Sequence, residues 1–257
     1  MDEFNDARVG ERAGKVREFF GLGRDAELLA SDAPRPETEG EAAEGLARFN
    51  IEWHVVPSAE ALPLDDAYFS KLYPRAPRDF TRKREHNKPP YREVLLKGHA
   101  RHQGRLVGVE TTEKPRYLPG NRQFYGSAYG HDPSADPFAV YLGRAAMVNG
   151  TRYAHNYLSL REFVQVVNED WRARRLMPAG YRATICPPAV FNLVGTLFHP
   201  EWSETETLEL GFYRDEAGNA TCYAVGSNAP GDFSFMVEVE GEAEWSLAGF
   251  RVALVPE

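Results

Sequence analysis

The sequence predicts an α+β fold: an amphipathic helix over about residues 159–176 packed on an antiparallel C-terminal sheet meander, preceded by an N-terminal helical extension. Three observations carry this. SLREFVQVVNEDWRARRLMPAG holds Leu160, Phe163, Val164, Val167 and Trp171 at helical spacing. The chain from residue 205 onward breaks into ETLELGFYRD, NATCYAVGSN, DFSFMVEVE and EWSLAGFRVALV, strand-like segments joined by the short turns EAGN, APG and GEA. Near the start, Val9, Ala13, Val16, Phe19 and Phe20 recur with helical period in DARVGERAGKVREFFGLG, where Gly21 and Gly23 supply a stop.

Taken in order, that first helix is followed by SDAPRPETEGE, an acidic, Pro-containing linker, and by a second short helix around EAAEGLARF. Residues 1–50 thus form the extension and 51–257 the α+β domain. IEWHVVPS is a compact apolar run ending at Pro57 and reads as a strand. ALPLDDAYFSKLYP suggests a short helix capped by Asp65 or Asp66. EVLLKGHARHQGRLVGVETTEKP divides near Gln103 and Gly104; its second half is a strand, and its first half fits either a strand or a helix. FAVYLGRAAMV looks strand-like. In the long helix, Ser159 and Glu162 fit a capping box, and Arg172, Arg174 and Arg175 suit its C-terminal end. YRATIC is a strand, and PPAVFNLVGTLF a short helix or turn.

With 42% hydrophobic and 26% charged residues in 257, the chain has a globular composition, which excludes wholesale disorder. No window nears the roughly 18 apolar residues of a membrane span, and the N-terminus lacks a leader pattern, so a cytoplasmic location is expected. Two cysteines, Cys186 and Cys222, do not make a disulfide framework or a closed structural zinc site. The net charge of −8 hides segregation: residues 71–122 hold 14 basic and 5 acidic side chains, whereas 201–257 hold 2 and 12. This basic island points either to an anionic partner or to neutralisation by the acidic flanks.

Several residues are candidates for chemistry. On a helix, His99 and His102 would share one face at i, i+3 and could ligate a metal, with His86 or Glu93 as a third partner; on a strand they would diverge. Cys186, between a strand and a helix start, could gain thiolate character there, with His155 or His199 as a base; a plain core thiol is the alternative, and Cys222 in TCYAV has the pattern of core. Glu238, Glu240, Glu242 and Glu244 alternate as a solvated strand face does. The glycines at 120, 126 and 130 match no phosphate-binding loop, and no nucleophile elbow occurs.

KPRYLPGNRQFYGSAYGHDPSADPF, residues 114–138, reads as a loop of about 24 residues where about 4 to 6 is usual. Its rings, Tyr117, Phe124, Tyr125 and Tyr129, are costly to leave in water, and between them stand Lys114, Arg116, Asn121, Arg122 and Gln123, donors suited to phosphate or carboxylate. The expected function is a soluble binding or accessory protein that holds an anionic or aromatic small molecule, or an acidic peptide, with Lys114, Arg116, Tyr117, Arg122, Tyr125 and Tyr129 as ligand-binding residues. One alternative is an enzyme using that pocket, with His131, oriented by Asp132, or Cys186 as the reactive group. Another is nucleic-acid binding through 71–122, disfavoured by the acidic pI. A protein partner is also compatible with the charge pattern. No cofactor and no membrane association is expected.

Overall fold

The computed structural model describes residues 7–36, 40–73, 90–112, 136–145, 152, 155–204, 208–214, 220–226, 235–239 and 248–257, with the backbone of 116–118 and 122–124. Helix α1 (Ala7–Phe20) buries Val9, Ala13 and Val16, the face its periodicity marks. It packs on the body, where Arg12 Nη1 donates to the Trp53 carbonyl at 3.2 Å. Helix α2 (Glu41–Ala47) leads into strand β1 (Ile51–Val56). Helix α3 (Asp66–Leu72) starts at Asp65, whose carboxylate accepts the Tyr68 amide at 2.9 Å. The ambiguous segment before Gly104 is helix α4 (Tyr91–His102), with Val94, Leu95, Gly98 and His99 buried on one helical face. Gly104, at φ 68°, then turns the chain into β2 (Arg105–Glu110).

The long loop contains a short antiparallel ladder, β3 (Arg116–Leu118) with β4 (Arg122–Phe124), so it is not strandless as its composition suggests. The strand-like FAVYLGRAAMV instead makes helix α5 (Ala139–Arg144). Phe138, Tyr141, Leu142 and Ala145 are buried while Val140 faces solvent, a helical spacing that the continuous apolar run conceals. Asp136 fixes the start by accepting the Phe138 amide at 2.8 Å, and the Tyr141 hydroxyl donates to Asp170 Oδ2 at 2.7 Å on the next helix.

Helix α6 (Tyr157–Ala173) buries Leu160, Phe163, Val167 and Trp171 as its pattern requires. Its capping box lies three residues earlier than expected: Asn156 accepts the Ser159 amide at 3.0 Å, and Ser159 Oγ accepts the Asn156 amide at 3.2 Å. Strand β5 (Tyr181–Ile185) and helix α7 (Pro188–Leu197) follow, then a 3-10 turn over Pro200–Glu204. β6 (Leu208–Arg214), β7 (Ala220–Gly226) and β8 (Phe235–Val239) form the antiparallel meander. EWSLAGFRVALV, one strand by pattern, divides at Arg251 into β9 (Ala248–Phe250) and β10 (Val252–Pro256).

Those two pieces belong to different sheets. β9 runs parallel to β6, giving the order β8-β7-β6-β9; β10 pairs antiparallel with β5 and β2, giving β1-β2-β10-β5. Each sheet turns one face to each of two apolar cores. The first joins α1, α5 and α6 to Trp53, Leu106, Ala183 and Leu254 of one sheet and Leu210 and Ala224 of the other. The second joins α3, α4 and α7 to Val56, Val107, Ala253 and Val255 of one sheet and Tyr223 and Val225 of the other. Gly211 permits the close approach of β6 to α7, because a Cβ there would stand 2.8 Å from the Cys186 carbonyl oxygen.

Between the sheets lies a buried set of two guanidinium groups and three carboxylates: Arg152, Arg251, Glu110, Asp136 and Glu209. Arg152 grips Asp136 with two bonds, Nε to Oδ2 at 2.6 Å and Nη2 to Oδ1 at 2.5 Å, and Glu110 with Nη1 at 2.7 Å. Arg251, at the β9–β10 junction, donates Nη1 to the carbonyls of Glu110 at 3.1 Å and Thr112 at 2.6 Å, and its Nε faces Glu209 Oε2 at 2.9 Å. Removing one partner strands the opposite charge in an apolar medium. Arg152→Met is therefore expected to lower unfolding free energy by about 3–5 kcal/mol in urea titrations. Arg172→Ala, which breaks the exposed pair with Glu257, is expected to change it by less than about 1 kcal/mol. Equal stabilities for both variants would dismiss the network as a structural determinant.

Candidate functional site

Strand alternation aims Tyr181, Ala183 and Ile185 into the first core, so Arg182 and Thr184 face the other side of the sheet at its β5 edge. The last turn of α4 brings Gly98, Arg101 and His102 to the same place, since residues three and four apart share a helix face. Pro187, Pro188 and Ala189, the start of α7, form a third wall, and Tyr213 and Glu257 complete the rim. The resulting cavity has a volume of about 240 Å³.

Two guanidinium groups, those of Arg101 and Arg182, line it. Arg101 lies 5.7 Å from the centre of the Tyr213 ring, a cation–π contact that holds it along the wall. The α7 start adds less than a usual helix N-terminus would, because Pro187 and Pro188 carry no amide hydrogen. Glu257 is the opposing charge, and Arg172 Nη2 donates to its carboxylate at 2.7 Å. Burial, reinforced by the charges of Arg101 and Arg182, holds the His102 pKa down at about 4, so this imidazole is neutral near pH 7.

The sequence candidates fall in different places. α4 does put His99 and His102 on one helix, but both ring nitrogens of His99 are engaged: Nδ1 with the Tyr68 hydroxyl at 2.8 Å and Nε2 with the Tyr73 hydroxyl at 3.2 Å. Asn192 Nδ2 donates to the Tyr73 oxygen at 3.2 Å, which extends this buried hydrogen-bonded chain to α7. With both ring nitrogens hydrogen-bonded, His99 is a core residue and not available to the candidate metal pair with His102. Cys186 lies between β5 and α7 as the sequence suggests, yet burial, and then the nearby Glu209 charge, push its thiol far above the usual range. The prolines that follow it lack the amide hydrogens a thiolate would need, so Cys186 is no activated nucleophile and belongs to the core, as does buried Cys222.

Arg116, Tyr117 and Arg122 lie on the β3–β4 ladder, where Arg116 stands opposite Phe124 and Arg122 opposite Leu118. Lys114, Tyr125, Tyr129, His131 and Asp132 lie outside the described residues, as does His86. The sequence reading missed Arg182 and Thr184. The signal available was their alternation, two polar residues on one face of YRATI immediately before a Pro-Pro helix start. It also passed over Glu52 and His54, an i, i+2 pair on β1 that the fold brings near His199. Among the described residues no helix is long and apolar enough to cross a membrane.

Burial places the His99 pKa at about 3, below the ordinary value of 6.5. Between those values the unfolded chain binds a proton that the folded chain excludes, so His99 contributes stability above pH 6.5 that is lost as pH falls toward 3. Denaturation midpoints measured from about pH 7 to about pH 4.5 are expected to fall less steeply in His99→Gln, which keeps polar contacts to both tyrosines without the titrating ring. An unchanged slope would assign the acid lability elsewhere. No family model, curated protein or solved structure matches this chain, so its functional reading rests on the geometry of these sites.

Proposed function

We propose that this protein binds a small anionic ligand, or the anionic group of a larger one, in the cavity between α4, β5 and the start of α7. The observation that carries the reading is convergence: the guanidinium groups of Arg101 and Arg182 line one cavity of about 240 Å³. That volume is below the range for a drug-sized ligand, roughly 300–1,000 Å³, and suits a phosphate, sulfate or carboxylate. The reading keeps the ligand class that the basic island implies, since Arg101 and His102 belong to that island. A bound anion would raise the His102 pKa from about 4, so proton uptake accompanies binding and affinity increases as pH falls from about 7 toward about 5.

Sulfate is the suitable probe because its charge is constant over this range. Isothermal titration is expected to give saturable binding that tightens from about pH 7 to about pH 5. Arg182→Ala is expected to weaken it by roughly tenfold to a hundredfold, the cost of one charge-assisted hydrogen bond. Absence of saturable binding, or an Arg182→Ala variant that binds as the wild type does, would overturn the reading.

A further inference from the structure

At the opposite edge of the same sheet, β1 carries Glu52 and His54 two residues apart and therefore on one face, while Trp53 and Val55 point into the first core. His199 joins them from just beyond the C-terminal end of α7. Glu52 Oε2 lies 3.8 Å from His54 Nε2 and 3.7 Å from His199 Nε2, and one donor atom from each of the three side chains lies within 4.8 Å of the others. These gaps are too long for hydrogen bonds. They are slightly wider than the roughly 3.0–3.4 Å that separates neighbouring donors around a metal held at about 2.1 Å.

His54 is the independent sign of a missing partner. Its ring is fully buried, and among the described residues neither Nδ1 nor Nε2 has a hydrogen-bond partner. Desolvating an imidazole without a partner is costly, and ligation would compensate it. His199 is oriented for ligation as well. Its Nδ1 bonds Glu201 Oε1 at 2.9 Å, which fixes the proton there and leaves the Nε2 lone pair facing Glu52. That Nε2 also has no hydrogen-bond partner among the described residues. Ring contacts hold both imidazoles: Phe198 lies tilted against His54 at 4.8 Å between centroids, and Trp202 stacks on His199 at 4.6 Å. The Glu52 side chain keeps a third of its surface exposed, so an ion has a path in. The negative end of α7, where its last carbonyls lie, favours a cation at this end.

We infer that Glu52, His54 and His199 form a binding site for one divalent transition-metal ion of the zinc class, with coordination positions left open to solvent. Two imidazoles and one carboxylate suit zinc, cobalt or iron(II), whereas magnesium and calcium call for oxygen-rich sites. Arg12 is the competing charge, since its Nη2 donates to Glu52 Oε2 at 2.6 Å. It must release that oxygen or share the carboxylate as the ion enters.

The test is titration of the metal-stripped protein with Co²⁺, followed by visible absorption, and with Zn²⁺, followed by calorimetry and thermal melting. One equivalent is expected to bind with micromolar or tighter affinity and to raise the melting temperature, which Mg²⁺ should not do. His199→Gln and Glu52→Gln, both at partly exposed positions, should each weaken binding at least tenfold with unchanged far-UV circular dichroism. Glu201→Ala should weaken it by about tenfold through loss of the acceptor that fixes the His199 proton. Arg182→Ala, which disables the anion cavity, should bind metal as the wild type does. The wild-type titration requires no variant, and lack of a saturable single-equivalent Zn²⁺ event overturns the proposal by itself. So does Zn²⁺ binding that survives within threefold in both His199→Gln and Glu52→Gln.

Discussion

Five charged side chains buried between two sheets set the terms on which the rest of this fold can exist. Arg152, Arg251, Glu110, Asp136 and Glu209 lie far apart in sequence, and each is nearly sealed from water. Charges in such a place require partners in fixed geometry, because the low local dielectric penalises any that are left alone as strongly as it rewards those that are paired. The end of β2, the start of β6, the β9–β10 junction, Asp136 and Arg152 must therefore arrive together. The rings of Phe138 and Phe250 lie 5.2 and 5.8 Å from the Arg152 guanidinium and join the ionic set to the first core.

The same constraint explains why one apolar run serves two sheets. Arg251 interrupts AGF and VALV, and its donors reach the carbonyls of Glu110 and Thr112 at the end of β2. The chain thereby leaves β6 and joins β2 and β5 without a loop. Arg251 also lies 3.8 Å over the Trp202 ring, which stacks on His199. The central ionic set is in this way continuous with the cluster at the β1 edge.

Helix α7 connects the two proposed sites. About 15 Å long at 1.5 Å per residue, it carries ten residues with Pro188 at its first position and eight of its residues buried, from Pro188 to Gly195. Its amino end contributes to the cavity with Arg101 and Arg182, and its carboxyl end delivers His199 toward Glu52 and His54. A helix places opposite partial charges at its ends. An anion at one end and a cation at the other is the arrangement that this polarity favours, although neither site uses a residue of the other.

The sequence by itself determined what depends on neighbours along the chain. The buried faces of α1 and α6 follow from 3.6-residue spacing, the Asp65 cap from local hydrogen bonding, and the β6–β8 meander from alternation and short turns. Where a local pattern admitted two periods, packing decided: α5 is a helix because Phe138, Tyr141 and Ala145 meet α6 and the first core, and α4 is one because Val94 and Leu95 meet the second. The sites were least legible, for a related reason. Arg182 and Arg101 meet across a cavity, and Glu52 meets His199 from a distant part of the chain, pairings that exist only once the sheet order and the position of α7 are set. Chemistry read from short spacing, as at His99 and Cys186, was instead redirected by burial. Desolvation is a property of the surroundings, and only the tertiary structure supplies those.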